Sequence, residues 1–396
     1  IDYREKAPIR SSRDMYLNSE GDVIKGLSLE SYLASGTPGT VAGLIQLHKD
    51  EASMSLEKLI DPAIILATEG FQLSEFQAQY LNKYANKFKK NREAEKIFVK
   101  EGGWKKGDLL IQKDLANSLS LIAKNGSKVF YDGDITKKIL NDFKENDGIF
   151  IKEDFLNYEI RKLEPLCGTY KSYKVCSMPP PSSGGVAIIQ MLNILENFEV
   201  KNFSHSSLEY IYLLKNIMGF AYADRSVFLG DPDYFNVPVD ELVSKDYAKR
   251  IAEKIKSKET IKIQPGMLIK ESDETTHFSI IDKWGNAVSN TYTLNGAYGS
   301  GIVAKGTGIL MNNEMDDFSQ KPGYPNLYGL IGSEANKIEP KKSPLSSMSP
   351  VIVSKDNMPY LITGSPGGST IINSVFQEII NILDFEMSLE ESSNKN

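Results

Sequence analysis

Two adjacent threonines, Thr275 and Thr276, open the run TTHFSIID, whose alternating character suits a β-strand. Threonine in a strand is ordinary, because β-branched side chains prefer strands. A chain break just before Thr275 would make it chemical. The freed α-amino group, with an intrinsic pKa of about 7.7 to 8.0, could take the proton from the hydroxyl of its own residue. Nucleophile and base would then sit on one residue. Such an economy answers a scarcity, since the chain has only 3 histidines, His48, His205 and His277. His48 falls in the apolar helical stretch VAGLIQLH and His205 in a Ser-rich turn, positions that suit structural roles. A histidine zinc site or a histidine-based triad therefore has few candidates.

A second chemical feature is Gly367-Gly368, between an expected strand and an expected helix. Two unobstructed backbone N–H groups at a helix start can stabilise a developing oxyanion or bind any anion. The same pair also permits a tight turn, and the residues alone do not decide between these readings. Glu314, Asp316 and Asp317 form an acidic cluster. The loop PPPSSGG, residues 179 to 185, is rigid by composition and either shapes a site or turns the chain. Cys167 and Cys176 are expected to be two ordinary buried thiols. A hairpin turning at Lys171-Ser172 would face them across it, permitting a disulfide in an oxidising compartment.

The elements that must position these residues follow from periodicity. Leu29 to Gly70 reads as helical apart from the Gly-Thr-Pro-Gly punctuation at 36 to 39, and residues 74 to 147 read as amphipathic helices. Tyr170 to Met178 reads as a strand, and Ser182 to Gly185 open a helix. Further on, 275–282 and 287–294 read as a hairpin, followed by a strand at 308–311 and a second hairpin from 350–354 and 359–363. A helix capped by Ser369 or Thr370 comes next, and a polar tail runs from Glu390 to Asn396. Helices in the first part and strands in the second predict a layered α+β protein. With 46 basic and 52 acidic residues the net charge is −6, which argues against a nucleic-acid binder. No apolar run approaches the roughly 18 residues that span a bilayer. The chain begins at Ile1 with no basic and apolar leader pattern, so a leader has been removed or the start is internal.

Several longer strings carry a resemblance. TTHFSIIDKWGNAVSNTYTLN, GILMNNEMDDFSQKPGYPNLYG, PLSSMSP and TGSPGG resemble the small subunit of the gamma-glutamyltransferases, members of the N-terminal-nucleophile hydrolases. REKAPIRSSRDMYL, LASGTPGTVAG, MPPPSSGG and AYADRSVFLGDPDYF resemble the large subunit, in the same order. The resemblance runs from about residue 2 to about residue 388. It implies a four-layer αββα sandwich, with relatives that begin before the Arg4 segment and continue beyond the helix near residue 380.

Carried over residue by residue, the resemblance implies that Thr275 is the nucleophile, released by autocatalytic cleavage at Glu274-Thr275. Residues 1–274 would be the large-subunit part and 275–396 the small-subunit part, the two co-folding and pairing as a heterodimer. Thr293 would support the nucleophile by hydrogen bonding, and Gly367 and Gly368 would be the oxyanion donors. Arg4 would pair with the glutamyl α-carboxylate, assisted by Ser346 and Ser347. Asn295, Glu314 and Asp317 would hold the α-ammonium. Pro322 to Ser333, with Tyr328, resembles a lid loop. The two cysteines lie outside the family's pattern.

The implied activity is transfer of the γ-glutamyl group of glutathione and related compounds to water, amino acids or peptides through a threonyl acyl-enzyme, with no cofactor and no metal. Its implied location is the periplasm or the medium. The competing readings are a cephalosporin or glutaryl acylase, a poly-γ-glutamate transpeptidase, and a non-catalytic γ-glutamyl-peptide binder. Arg4, Asn295 and Asp317 favour a free glutamyl head over the other two substrates.

Overall fold

Serine and asparagine open many of the helices. Ser55, Ser74, Asn91, Ser207 and Ser244 each accept a backbone N–H of the first turn, starting the helices Leu56–Glu69, Glu75–Lys83, Arg92–Phe98, Leu208–Phe228 and Lys245–Lys256. The computed structural model describes residues 1–257 and 274–395. Of the elements expected from the sequence, only Asn396 of the polar tail and residues 258–273 of the large-subunit part lie outside the described residues.

The chain forms two compact units. One comprises Ile1–Lys162, Leu294–Asp316 and Ile338–Ser343; the other comprises Leu163–Thr293, Asp317–Lys337 and Pro344–Asn396. Both draw residues from either side of the Glu274-Thr275 bond, which itself lies in the second unit.

The first unit is mainly helical, and its core gathers Ile45, Phe130, Ile139, Phe143, Phe155, Ile302 and Met311. The helix Asp134–Glu145 shows why its sequence folds so: Ile135, Ile139 and Phe143 recur at four-residue spacing and are buried. One helical expectation is corrected here. The first helix begins only at Thr40, as Thr40–Glu51, and residues 29–39 make turns and a bridge. Gly39 lies so close to Tyr3 and Tyr158 that a Cβ would sit 2.0 Å from the Tyr158 hydroxyl, and Asn312 takes both backbone groups of Gly36 at 2.9 Å. The backbone there satisfies its polar groups through long-range partners instead of a helical ladder.

The second unit is built on a four-stranded antiparallel sheet, in the order Met358–Thr363, Val351–Lys355, Tyr173–Ser177 and Leu166–Tyr170. Val175, Val351 and Val353 of the sheet are buried with Ile188 and Met191 of the helix Gly184–Leu195 and with Val375, Phe376 and Ile379 of the helix Ile371–Leu383. The hairpin of Thr276–Ile281 and Ala287–Tyr292 packs against Val351–Lys355 and Met358–Thr363. Its turn is fixed by Asp282, whose carboxylate accepts the N–H groups of Trp284 and Asn286 at 2.9 Å.

Two expectations change in this unit. The segment read as one strand from Tyr170 to Met178 is the second half of a hairpin, with Tyr170 ending the first strand. That hairpin places Cys167 directly opposite Cys176, and the two form a disulfide instead of remaining thiols. The turn at Lys171-Ser172 sets the register that joins them.

Candidate active site

In the first unit, Arg4 and Glu314 are buried and meet as an ion pair, Nη1 to Oε2 at 2.6 Å. The Arg4 backbone is pinned from both sides. Its N–H donates to Asp2 Oδ1 at 2.9 Å and its carbonyl accepts the Tyr158 hydroxyl at 2.9 Å. Glu314 opens the short 3-10 turn Glu314–Asp317, and its N–H donates to Asn312 Oδ1 at 3.1 Å. Asn295 is buried with φ of 70°, and its side-chain amide donates to the carbonyl of Asn313 at 3.0 Å. Asn313 Oδ1 accepts the N–H of Gly296 at 2.9 Å, so the Asn295 and Glu314 segments are tied side by side. Asp316, part of the same acidic cluster, accepts the Ser28 hydroxyl at 2.7 Å.

In the second unit, the Thr275 hydroxyl donates to the Thr293 hydroxyl at 3.2 Å. Thr293 directly follows the strand that pairs with Thr276, which is why eighteen residues of sequence close to one hydrogen bond. Thr275 has φ of 97°, a region that β-branched residues rarely occupy, and such backbone costs on the order of 1 to 3 kcal/mol. The carbonyl of the residue before it, Glu274, accepts the N–H of Gly367 at 3.0 Å. Gly367 has φ of 122°, and its own carbonyl accepts the N–H and the hydroxyl of Thr370 at 3.0 and 2.8 Å. Gly368 is packed under Tyr328: a Cβ on Gly368 would lie 2.5 Å from the Tyr328 ring.

Tyr328 is held by an asparagine-centred loop. Asn326 Oδ1 accepts the N–H groups of Tyr328 and Leu330 at 3.0 Å, and its amide donates to Asp317 Oδ1 at 3.0 Å. One side chain thus links Asp317 to the residue covering Gly368. Ser346 is stitched to the PPPSSGG loop, its N–H on the Pro181 carbonyl and its carbonyl accepting both the N–H and the hydroxyl of Ser183. Ser347 accepts Arg225 Nη2 at 3.1 Å, while Arg225 Nε donates to Ser183 at 3.0 Å.

Both ring nitrogens of His277 are engaged by hydroxyl groups. Its ring nitrogens meet the Thr291 hydroxyl at 2.7 Å and the Ser279 hydroxyl at 3.0 Å, and burial lowers its pKa below 6.5, keeping it neutral. His48 and His205 are held by the Met54 carbonyl and by Asn381. Among the described residues no group of three or more His, Cys, Asp or Glu side chains could hold a metal ion. Reasoning from the sequence missed Arg225, Asn326 and Asn336, whose amide donates to the Asp317 carbonyl at 2.7 Å. Arg225 lies in the string AYADRSVFLGDPDYF, so the motif was visible without its orienting role.

Comparisons with known proteins identify the family of the chain as a whole. The sequence pattern of the gamma-glutamyltranspeptidase family matches residues 1–396. The glutathione hydrolase proenzyme of Escherichia coli strain K12 is 48% identical over 400 residues, covering 100% of this chain and 69% of the relative. The crystal structure of the Helicobacter pylori gamma-glutamyltranspeptidase shares 42% identity with a TM-score of 0.64, over 68% of this chain and 77% of that one. A cephalosporin acylase from Bacillus halodurans, 23% identical, superposes with a TM-score of 0.81 over 98% of this chain and 69% of that one, which establishes the shared fold. The α+β architecture is therefore that of the N-terminal-nucleophile hydrolases. By the match along its whole length and by these relatives, the chain belongs to the gamma-glutamyltranspeptidase family.

Proposed function

We propose that the chain cleaves the γ-glutamyl amide of glutathione and related compounds and passes the γ-glutamyl group to water, amino acids or peptides. The observation that carries this reading is the Thr275 hydroxyl, 3.2 Å from Thr293 and preceded by a carbonyl held on the Gly367 N–H. Cleavage at Glu274-Thr275 yields two polypeptides, 1–274 and 275–396, that remain paired. The new α-amine of Thr275 then acts as base, its hydroxyl attacks the γ-carbonyl, and Gly367 and Gly368 stabilise the tetrahedral oxyanion. The same amine, now protonated, donates to the leaving nitrogen, and water or an acceptor amine resolves the acyl-enzyme.

The Arg4–Glu314 pair supports a zwitterionic head. A substrate bearing a carboxylate and an ammonium on one carbon offers each partner the opposite charge that it now finds in the other. The reading assigns the α-carboxylate to Arg4, Ser346 and Ser347, and the α-ammonium to Asn295, Glu314 and Asp317. Arg225 positions Ser347 by engaging one lone pair of its hydroxyl, leaving the hydroxyl hydrogen to be given to the ligand. Pro322 to Ser333, with Tyr328, serves as a lid over Gly368. Export to the periplasm or the medium is supported by the Cys167–Cys176 disulfide, since such bonds persist in oxidising compartments. Among the described residues no helix is long and apolar enough to cross a membrane.

The test is Thr275→Ala. It should leave one uncut chain on denaturing electrophoresis and no turnover of a chromogenic γ-glutamyl anilide. Turnover at the wild-type rate by that variant would end the reading.

A further inference from the structure

We propose that the Gly367 N–H serves the chain twice: first as the oxyanion donor of its own maturation, and only afterwards as the donor for substrate. The inference rests on the reading that the Glu274-Thr275 bond is cut by Thr275. In the uncut chain the Gly367 N–H is already engaged, 3.0 Å from the carbonyl oxygen of Glu274. That oxygen belongs to the bond to be broken, so the atom that must carry negative charge during the cut already lies on a preorganised donor.

Two independent features converge on the same peptide. Thr275 is held at φ of 97°, and its hydroxyl is fixed by Thr293 at 3.2 Å. Cutting the bond frees Thr275 from the peptide plane and releases the cost of that conformation. The donor is equally fixed, because Thr370 ties the Gly367 carbonyl through both its N–H and its hydroxyl, at 3.0 and 2.8 Å, and so sets the orientation of the turn.

Thr275 Oγ adds to the Glu274 carbonyl carbon, and the carbonyl oxygen becomes an oxyanion on the Gly367 N–H. The C–N bond breaks, the hydroxyl proton ends on the departing nitrogen, and an ester joins Glu274 to Thr275 Oγ. Water hydrolyses that ester, leaving a Glu274 carboxylate, the Thr275 hydroxyl and a free α-amine. Until the Glu274 carbonyl leaves, no substrate oxyanion can use Gly367. The uncut chain is therefore silent for two reasons, a missing base and an occupied oxyanion donor.

The experiment replaces Gly367 by glycolic acid, introduced by nonsense suppression in cell-free translation of the full chain. This exchanges one amide for an ester, which removes the N–H and weakens the Pro366 carbonyl that accepts the Ser365 hydroxyl. The appearance of the two fragments should slow by about a hundredfold, the usual effect of losing one oxyanion donor. Cutting at the wild-type rate would overturn the inference while leaving the proposed function intact, whereas a wild-type chain that never cuts would sink the reading beneath it. A second measurement avoids any folding defect of the ester chain. Hydrogen–deuterium exchange of the Gly367 amide should be slow in the uncut Thr275→Ala chain and faster in the cut wild type. Equal exchange in the two would also overturn the inference.

Discussion

At the scale of single residues, the Arg4–Glu314 pair joins stability to specificity. A buried ion pair contributes little net stability against an apolar replacement, but losing one partner leaves the other charge buried without it. Arg4→Met should therefore destabilise the protein by about 3 to 5 kcal/mol, read as a lower urea midpoint, and should abolish γ-glutamyl turnover. The double variant Arg4→Met with Glu314→Met should recover most of the lost stability and none of the activity. If the double variant is as unstable as the single one, the buried Glu314 charge left by Arg4→Met is not what destabilises the single variant. The threonines tell the complementary story. Thr275 and Thr293 were both visible as residue types, yet only the strand register accounts for their 3.2 Å contact, because a hairpin turn at 283–286 decides which residues end up abreast.

At the scale of elements, patterns that depend on near neighbours were legible and those that depend on distant ones were not. The two hairpins and the helices after PPPSSGG and GSPGG carry local signals, turn residues and helix-starting glycines or hydroxyls, and they form as read. Residues 29–39 did not form a helix despite apolar spacing, because Asn312, more than 270 residues on, claims the backbone of Gly36. The roles of Arg225 and Asn326 were hidden for the same reason: an orienting hydrogen bond has no period. The Cys167–Cys176 disulfide depended on hairpin register, which composition alone does not weigh. It closes a loop with a sequence separation of 9, so constraining the unfolded chain should contribute roughly 2 to 3 kcal/mol. Replacing both cysteines by serine should lower the denaturation midpoint accordingly without altering the rate of self-cleavage. A variant that unfolds at the wild-type midpoint would show that the crosslink constrains nothing that the hairpin has not already fixed.

At the scale of the whole molecule, the proposed cut separates the sequence without separating the structure. The four-stranded sheet of the second unit takes Leu166–Tyr170 and Tyr173–Ser177 from before the bond and Val351–Lys355 and Met358–Thr363 from after it. The ladder between them pairs Lys174 to Ser177 with Ser354 to Val351, and Val175 and Val353 share one buried core with helices from both sides of the bond. The first unit behaves alike, since Ile302, Ala304 and Met311 from after the bond complete a core whose other buried members come before it. Among the described residues neither piece holds a complete core of its own, so folding must precede the proposed cut. After maturation, pieces 1–274 and 275–396 should co-elute on size exclusion in native buffer and part only in denaturant. A chain of 275–396 made alone should show no cooperative unfolding, because its two remaining sheet strands lose the ladder to Tyr173–Ser177 and the core residues supplied by the helix Gly184–Leu195. Cooperative unfolding of that piece alone, or separation of the cut pieces without denaturant, would mean that the cores do not depend on both sides of the bond.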